Sequence, residues 1–479
     1  MKALILTEGG RKIGFGHLTR CLALRDALRL QGMRVTIVAH GDALLRKQFR
    51  GQLDAVFNWL SQRARMKELV KEAGVVVIDS YLAPAALYRE MSKAVPIPVY
   101  HDDYLRLAYP SGIVINGAVG SEKSDYPKTE GRQYLLGAKY ALLRKDFWQA
   151  PKHRVRRKVR NVLVTFGGMD HAVFIKEMLA CLQPKFPDWR FHIVTARPDH
   201  DLLRYAVKTK YYSGISASQM KSLILRCDVA VSGGGQTVNE LAVCGVPTVG
   251  ICFAENQRLN IEGWRKQGFL KYAGRIDQAG IFERIEKTLK SLSLPQRRRM
   301  GESGQRLVDG KGALRAAKAI ADEAFTFCAV KASDRRRIFD WSNDPEARSV
   351  SFRPEPILWQ EHCAWFKTKL RDPDCFFYKV GLLGKPVGQV RFQRSGRKAT
   401  ISVTLDKKFR GRRLGSPILR LAARKVFREA GISRIDAFVK KTNAASLGVF
   451  RRAGFKACGR RTAGGHDAVL LTLRNVRDE

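Results

Sequence analysis

The sequence lacks any apolar run close to the roughly 20 residues that a membrane-spanning helix requires. Its first apolar run, residues 4–6, follows Met1 and Lys2 too closely to leave room for a secretory signal peptide. The nine cysteines are scattered without a Cys-x-x-Cys pair, and no histidine cluster has the spacing of metal ligands. We therefore expect a soluble, cytoplasmic protein with reduced thiols and no structural zinc.

Acidic residues are scarce, since 44 Asp and Glu stand against 87 Lys and Arg and give a formal net charge of +43. Such an excess attracts nucleic acid, anionic membrane surfaces or acidic metabolites without selecting among them. The basic residues are spread along the chain, with neither a basic-aromatic recognition module nor an isolated polybasic tail. A basic surface on an ordinary enzyme is therefore favoured over a dedicated nucleic-acid-binding function.

At 479 residues the chain has material for roughly two to four domains. Its first 150 residues alternate helical patterns with short Val- and Ile-rich runs at residues 3–7, 35–39, 75–79, 97–101 and 113–116. Near-continuous apolar strands separated by helices predict a parallel, Rossmann-like sheet that is covered on both faces. Ligands of such sheets bind beyond the carboxyl ends of the strands.

The residues that follow these strands are candidates for a binding site. They are His17, the Asp79-Ser80-Tyr81 step, the His101-Asp102-Asp103 step and Asn116. Asp79 and Asp102 have an equally simple alternative role, as caps of helices or turns. Their convergence on one sheet edge is what favours a functional site.

The first strand is followed by Gly14, Phe15, Gly16 and His17, and a helical pattern begins at Leu18. The two glycines allow close approach of a ligand, and the N–H groups at a helix start favour an anion such as a diphosphate. The same helix end disfavours positive charge, so the imidazole is expected to stay neutral and basic. The alternative interpretation is a structural turn that contains a histidine.

A second Rossmann-like series follows a basic, proline-containing segment at residues 150–158, which we interpret as an interdomain linker. Its strand-like runs are residues 162–166, 191–195, 229–232 and 246–253. Two consecutive halves of this kind predict a ligand cleft between them. We assign residues 1–150 to the first domain and residues 151–325 to the second, nucleotide-binding domain.

Three glycines at residues 233–235 follow a strand, and Thr237 stands at the predicted start of a helix. This arrangement predicts a backbone nest for phosphate oxygens. Glu240, almost one turn into the helix, could turn its carboxylate toward a ribose diol. Asn256 follows a further strand end, so its amide group could reach the same cleft.

The motifs in residues 1–325 together resemble the PseG-type UDP-sugar hydrolases of pseudaminic acid synthesis. The resemblance rests on Gly14-Phe15-Gly16-His17, Arg20-Cys21, Asp79-Ser80-Tyr81, Leu142-Leu143-Arg144, Phe166-Gly167-Gly168, the loop from Ser232 to Glu240, and Ala254-Glu255-Asn256-Gln257. It implies a GT-B-like fold and metal-free removal of UDP from UDP-2,4-diacetamido-2,4,6-trideoxy-β-L-altropyranose by water that attacks the anomeric carbon. His17 would be the general base. The implied substrate-binding residues are Gly16, Tyr81, Arg144, Gly234, Gly235, Thr237, Glu240 and Asn256.

The C-terminal part changes character, with strand-like segments at residues 376–382, 388–392 and 400–405 ahead of a basic, glycine-containing turn and a helix. Such a turn predicts a second anion site, in which arginines can pair with phosphates. Residues 332–475 resemble a GNAT N-acetyltransferase, particularly the PseH and ribosomal-protein-acetylating branches. The resemblance implies acetyl-CoA as co-substrate, bound through Arg410, Gly411, Arg412, Arg413, Leu414, Gly415 and Asn443.

Two positions depart from the acetyltransferase pattern. Arg413 stands where the commonest pattern has glycine, and its side chain would either crowd the turn or meet phosphate. Phe450 lies where many relatives carry a tyrosine acid, so the departing thiolate has no obvious proton donor.

The joint expectation is a bifunctional enzyme that acetylates the 4-amino group of a UDP-amino-sugar and then hydrolyses UDP from the product. One alternative keeps the fold and makes the larger part a glycosyltransferase that passes the sugar to a lipid or protein. Another is a sugar-nucleotide sensor or an RNA-associated protein without catalytic activity.

Overall fold

The computed structural model describes residues 1–11, 13–127, 130–168, 171–195 and 208–475. The chain divides into two compact units, Met1–Ala321 and Asp322–Glu479. The first unit contains two parallel sheets and the second contains one mixed sheet. The predicted α/β architecture, with two Rossmann-like sheets before an α+β domain, is confirmed.

The first sheet is built from strands that are parallel throughout. They are β1 (Lys2–Gly9), β2 (Arg34–Gly41), β3 (Ala55–Val56), β4 (Val75–Asp79), β5 (Ile97–His101), β6 (Gly112–Asn116) and β7 (Arg132–Leu136). The spatial order β3-β2-β1-β4-β5-β6-β7 places a topological switch point between β1 and β4. In doubly wound sheets the ligand crevice opens at this point, beyond the carboxyl ends of the two strands.

Helices cover this sheet because its strands are apolar on both faces. They are α1 (Gly16–Leu30), α2 (Ala43–Gln48), α3 (Arg63–Lys71) and α4 (Ala85–Ala94). Met66 of α3 and Met91 of α4 share one buried cluster with Leu4 and Leu6 of β1. This packing fixes the strand ends, and therefore the loops that carry the candidate site.

The second sheet repeats the same topology. Its strands are β8 (Asn161–Thr165), β9 (Arg190–Val194), β10 (Thr209–Tyr212), β11 (Val229–Gly233), β12 (Thr248–Cys252) and β13 (Leu270–Arg275). The order β10-β9-β8-β11-β12-β13 places its switch point between β8 and β11. The glycine-rich residues after β11 therefore stand at the place where a parallel sheet binds ligands.

The helices of the second half follow in chain order. They are α5 (Ala172–Lys185), α6 (Ala217–Arg226), α7 (Thr237–Cys244), α8 (Arg258–Lys266), α9 (Ile281–Lys290), α10 (Leu294–Leu307) and α11 (Gly312–Glu323). The start of α11 packs against the segment that connects the two halves. The approach is so close that a Cβ at Gly312 would collide with the carbonyl oxygen of Ala141.

The predicted linker, residues 150–158, forms neither helix nor strand. It is nevertheless fixed to the second half. The N–H of His153 donates to the carbonyl of Cys244 at 3.1 Å, and the Arg297 guanidinium donates to the carbonyls of Arg156 and Arg157 at 2.8 Å each. The segment is therefore an ordered part of the second half.

The second unit is a seven-stranded sheet with helices. Its strands are β14 (Phe325–Ala329), β15 (Cys375–Leu382), β16 (Lys385–Ser395), β17 (Lys398–Leu405), β18 (Arg434–Lys440), β19 (Lys456–Ala463) and β20 (His466–Arg474). Its helices are α12 (Arg335–Ser342), α13 (Pro345–Ser349), α14 (Trp359–Arg371), α15 (Gly415–Glu429) and α16 (Ala444–Arg452). The resemblance to an acetyltransferase was drawn from residue 332 onward, but the sheet begins earlier. Its first strand, β14, ends at Ala329 and pairs with β15.

Strands β17 and β18 are the parallel neighbours in this otherwise antiparallel sheet, in the order β14-β15-β16-β17-β18-β20-β19. They pair only where Lys398–Thr400 lies opposite Arg434–Asp436. None of the helices described in either unit combines the length and hydropathy needed to cross a lipid bilayer.

Candidate functional site

The carboxyl ends of the two parallel sheets line one cleft of about 1400 Å³ in the first unit. All of the residues predicted as general base or substrate contacts lie on its walls. They are Gly16, His17, Tyr81, Arg144, Gly234, Gly235, Thr237, Glu240 and Asn256. The structure therefore brings together side chains that are up to 240 residues apart in the sequence.

His17 lies in the first turn of α1 and is almost fully buried. Its Nδ1 is 2.6 Å from Oδ1 of Asp79, at the carboxyl end of β4. A carboxylate can only accept a hydrogen bond, so this distance requires the imidazole hydrogen on Nδ1. The Nε2 atom then carries a free lone pair and makes no hydrogen bond within the described part of the chain. His17 is therefore held in the tautomer that a general base needs.

Arg20, one helical turn after His17, supplies the positive charge of this cluster. Its Nε and Nη2 donate to the two oxygens of Asp79 at 2.6 Å each. Nη2 also lies 2.9 Å from Nδ1 of His17, and with the hydrogen on Nδ1 this contact is not a hydrogen bond. Burial alone would raise the pKa of Asp79, but Arg20 and His17 hold it well below its ordinary value. The carboxylate is therefore charged at neutral pH.

Asp103 holds the other side of the cluster. It accepts from Nη1 of Arg20 at 2.7 Å and from the hydroxyl of Tyr81. The Tyr81 ring packs edge-on against the His17 ring, with centroids 4.3 Å apart. Burial and the neighbouring Asp103 carboxylate raise the pKa of Tyr81, so its hydroxyl remains a donor.

Tyr81 also connects the two halves of the first unit. Nδ2 of Asn256, in the short 3₁₀ turn Glu255–Gln257 after β12, lies 3.2 Å from the Tyr81 hydroxyl. The next residue, Gln257, accepts from the N–H of Gly234 at 3.0 Å. A continuous set of contacts therefore runs from the His17 ring to the glycine-rich loop.

Two of the candidates after strands have structural roles. Asp102 accepts from the N–H groups of Leu105 and Arg106 and from the hydroxyls of Tyr109 and Tyr126, which fixes the loop after β5. Asn116 accepts from the N–H of Ala118 and donates to Tyr126, whose hydroxyl also contacts Asp102. Of the two adjacent aspartates, the structure places Asp103 in the cleft.

The glycine-rich loop offers its donors at the first turn of α7. Gly234 is committed internally, because its N–H donates to Gln257 and its carbonyl accepts from Asn260 at 2.9 Å. The backbone N–H groups of Gly235, Gln236 and Thr237 have no partner within the described ranges. Free N–H groups at a helix start are suited to an anion such as phosphate.

Arg144 and Glu240 pair with each other on the cleft wall. Nε and Nη2 of Arg144 lie 2.8 and 3.0 Å from the two carboxylate oxygens of Glu240. Burial raises the pKa of Glu240 despite this guanidinium. The two predicted substrate contacts thus form one bidentate unit, whose outer atoms remain available because the Arg144 side chain is 23% exposed.

In the second unit, the predicted cofactor turn has the backbone of a glycine-containing loop. Gly411 has φ of 72° and Arg413 has φ of 58°, both in the left-handed region. Arg413 thus adopts the conformation that a glycine would favour, with its side chain exposed. Leu414 is the N-cap of α15, and a Cβ at Gly415 would lie 2.8 Å from the Val449 side chain, so α15 and α16 pack closely there.

The other predicted cofactor residues are engaged within the unit. Arg410 donates to the Leu405 carbonyl and to the carboxylates of Asp344 and Glu346 at 2.6 and 2.8 Å. The Arg412 guanidinium lies 5.4 Å from the centre of the Phe409 ring. Oδ1 of Asn443 caps α16 by accepting from the N–H of Ser446 at 3.0 Å. Arg410 therefore supports the turn, and Asn443 supports the start of α16.

Sequence reasoning did not name Glu8, named Arg20 only as part of a motif, and named Asp103 only as one candidate in the His101-Asp102-Asp103 step. The helical spacing of three residues from His17 was the available signal for Arg20, because it puts both side chains on one helix face. Glu8 is fully buried at the end of β1 and accepts from the Ser80 hydroxyl and from the N–H of Tyr81 at 2.7 Å. A charged residue that ends an apolar strand was its signal.

Across the described ranges, no group of three or more His, Cys, Asp or Glu side chains is placed to hold a metal ion. The cleft walls carry the imidazoles of His17 and His101, the carboxylates of Glu8, Asp103 and Glu240, the guanidinium groups of Arg20 and Arg144, and the free backbone donors of the glycine-rich loop.

Residues 325–456 match the family model described as an acetyltransferase (GNAT) domain. An uncharacterized protein of Methanocaldococcus jannaschii is 22% identical, covering 95% of this chain and 97% of its own length. The spore coat polysaccharide biosynthesis protein SpsG of Bacillus subtilis is 24% identical over 66% of this chain and 97% of its own length. The UDP-2,4-diacetamido-2,4,6-trideoxy-β-L-altropyranose hydrolase of Campylobacter jejuni is 22% identical over 56% of this chain and 98% of its own length.

These relationships confirm the resemblance drawn from the motifs. The chain is an enzyme that is homologous to UDP-sugar hydrolases over part of its length and carries a GNAT acetyltransferase domain in its C-terminal part.

Proposed function

We propose that the cleft of the first unit removes UDP from an acetamido-sugar nucleotide of the altropyranose type, and that the second unit acetylates the 4-amino group of its precursor. The observation that carries the hydrolase proposal is the 2.6 Å contact between Nδ1 of His17 and Asp79, in the same cleft as the free N–H groups at the start of α7. The homology to an altropyranose hydrolase supports the choice of substrate.

In the hydrolysis step, Nε2 of His17 takes a proton from water as the water oxygen forms a bond to the anomeric carbon. The bond from that carbon to the UDP oxygen breaks, and UDP leaves with the electron pair. UDP is a good leaving group, so a positioned base is the larger need and contributes typically ~10²–10⁴ in rate. The imidazolium that forms faces Asp79, whose charge stabilises it.

Backbone N–H donors of the second half would stabilise the negative charge that develops on the diphosphate. The N–H groups of Gly235, Gln236 and Thr237 point from a helix start, where anions are favoured. The Arg144–Glu240 pair offers a guanidinium edge and a fixed carboxylate for the rest of the nucleotide. No step in this scheme requires a metal ion.

For the acetyltransferase, the turn from Arg410 to Gly415 would bind the pyrophosphate of acetyl-CoA through backbone N–H groups at the start of α15. The 4-amino nitrogen would attack the thioester carbon, and coenzyme A would leave as the thiolate. Phe450 is buried against Phe455 and has no hydroxyl to protonate this thiolate. The proton would therefore come from water or from the nitrogen of the tetrahedral intermediate, which is positively charged once the free amine has attacked.

Mass spectrometry of the products formed from the UDP-4-amino-sugar and acetyl-CoA tests both activities in one reaction. The intact protein is expected to yield UDP, coenzyme A and the free diacetamido sugar. His17→Ala is expected to stop at the acetylated sugar nucleotide, with UDP release reduced by ~10²–10⁴. His40→Ala, a histidine that does not line the cleft, is the matched control and should give the products of the intact protein.

Other outcomes would overturn specific parts of the proposal. UDP release by His17→Ala at the rate of the intact protein would remove the hydrolase mechanism. UDP release only after addition of a lipid or protein acceptor would make the cleft that of a glycosyltransferase. Acetylation at a different nitrogen, or none, would remove the assignment of the second unit.

A further inference from the structure

Asp103 is a partly buried carboxylate that belongs neither to the base nor to the nucleotide contacts. It follows β5 directly, and its side chain is 22% exposed at the cleft wall. One oxygen accepts from Nη1 of Arg20 at 2.7 Å and the other from the Tyr81 hydroxyl. These partners, Arg20 and Tyr81, both contact the His17 ring, as Asp79 does.

We infer that Asp103 is a positioning residue that sets the proton affinity and orientation of His17 through Arg20 and Tyr81. The inference rests on the proposed function, because it assigns a role in the same proton transfer. Asp103 makes no direct hydrogen bond to His17 in the described structure.

The geometric part of this role follows from the guanidinium fork. Nε and Nη2 of Arg20 are bound by Asp79, and Nη1 is bound by Asp103, so both ends of the planar group are fixed. Without Asp103 the guanidinium could turn about its contact with Asp79. Nη2 would then change its distance from His17 Nδ1, and the Tyr81 hydroxyl would lose its acceptor.

The electrostatic part follows from the balance of charge around the base. Asp79 alone would neutralise Arg20, and Asp103 adds one further negative charge that favours an imidazolium on His17. Although burial acts to raise it, the pKa of Asp103 is lowered to about 2, chiefly by Arg20. Asp103 is therefore charged throughout the range in which a histidine base operates.

The other groups around His17 do not cancel this charge. Burial and Arg20 lower the pKa of His101, on β5, to about 4, so it is neutral near pH 7. Burial and Asp79 raise the pKa of the Cys21 thiol on α1 well above its ordinary value, so it is neutral too. Glu8, at the end of β1, is a further carboxylate that holds Ser80 and Tyr81. In this group of contacting side chains, the carboxylates of Glu8, Asp79 and Asp103 outnumber the guanidinium of Arg20.

The test is the pH dependence of kcat/KM for UDP release by the full-length chain with Asp103→Asn. Loss of one negative charge makes the imidazolium less stable, so the acid limb should move about one pH unit lower. The plateau kcat should fall about tenfold, because Tyr81 and Arg20 are less well fixed. Asp103→Glu restores the charge and should return the acid limb to its original pH.

Asp26→Asn is the matched control. Asp26 lies on α1, the helix that carries His17 and Arg20, and its carboxylate pairs with Arg25. It should leave the acid limb and kcat unchanged. An acid limb at the original pH in Asp103→Asn, with only a lower kcat, would show a purely structural role and overturn the inference. If Asp103→Asn does not fold, Asp103→Ser makes the same charge change with a smaller side chain.

A second readout separates this inference from the proposed function. In ligand-free protein with isotope-labelled histidine, the His17 ring signals, assigned with His17→Gln, should titrate at lower pH in Asp103→Asn. This measurement requires no substrate. Failure of the intact protein to release UDP would overturn the hydrolase proposal alone, whereas an unchanged ring titration would overturn the role of Asp103.

Discussion

Arg20 shows how a single residue can hold a costly arrangement in place. Its side chain is about nine-tenths buried, and a buried charge is strongly destabilising unless it is paired and hydrogen-bonded. Asp79 and Asp103 satisfy three of its nitrogens, and each carboxylate has a second donor of its own in His17 or Tyr81. The cluster is therefore satisfied as a unit, and removal of Arg20 would leave both carboxylates without their cation.

His101 makes the stability of this region depend on pH. Burial and Arg20 lower its pKa from 6.5 to about 4. Below pH 6.5 the unfolded chain therefore binds a proton at this histidine, whereas the folded chain binds it only below about pH 4. Stability contributed by the neutral ring is thus complete above pH 6.5 and is lost as the pH falls toward 4. Between pH 7 and pH 5 the loss is about 2 kcal/mol.

We expect His101→Gln to remove this part of the pH dependence. Urea unfolding followed by tryptophan fluorescence at pH 7 and pH 5 should show a smaller decrease for the variant than for the intact protein. His466→Gln, which changes an exposed histidine of the second unit, should keep the full decrease. Equal decreases in all three proteins would contradict a neutral, buried His101.

At the scale of elements, the sequence predicted the central strands of the two parallel sheets and missed strands at their edges, and in the third sheet it also missed the interior strands β18 and β20. Strands such as β4 and β8 are buried on both faces, so they read as continuous apolar runs. In the two parallel sheets, the missed strands β3, β7, β10 and β13 are the edge strands, and each has partly exposed residues. Pairing with a neighbour makes them strands, and that is not visible in a hydrophobic pattern.

The candidate site was predictable to the same extent. The rule that ligands bind beyond the carboxyl ends of strands predicted His17, Tyr81 and Asn256 in one cleft between the two sheets, and all three line it. The partners of each side chain were not predictable. The choice between Asp102 and Asp103, and the pairing of Arg144 with Glu240, depend on loop conformations that only the packed structure fixes.

The turn before α15 gives a test at this scale. A non-glycine residue in the left-handed region costs about 1 kcal/mol, and Arg413 has φ of 58° whereas Arg412 does not have positive φ. Both arginines are exposed and equally charged. We expect Arg413→Gly to be about 1 kcal/mol more stable than Arg412→Gly, measured by chemical denaturation of the full chain. Equal stabilities would mean that the turn is not constrained at Arg413.

At the scale of the whole molecule, the two units have separate cores. The core of the second unit includes Val390, Phe392, Ile418 and Leu419, and it contains no residue of the first unit. Two chemical steps on one chain therefore need not share a catalytic residue. The M. jannaschii relative aligns along 95% of this chain, so the combination of both parts is present in at least one other protein.

The net charge of +43 is a property of the whole chain with a consequence for both proposed substrates. A UDP-sugar and acetyl-CoA are both anions, and a strongly positive protein attracts anions over a distance that salt shortens, from about 30 Å at 0.01 M to about 8 Å at 0.15 M ionic strength. We expect kcat/KM of each reaction to fall about three- to tenfold between these two ionic strengths. The value of kcat at saturating substrate should change much less, since attraction acts before binding. A kcat/KM that is independent of salt would show that the excess basic residues lie away from the approach to either site. The net charge would then be explained by a surface that binds a different anion.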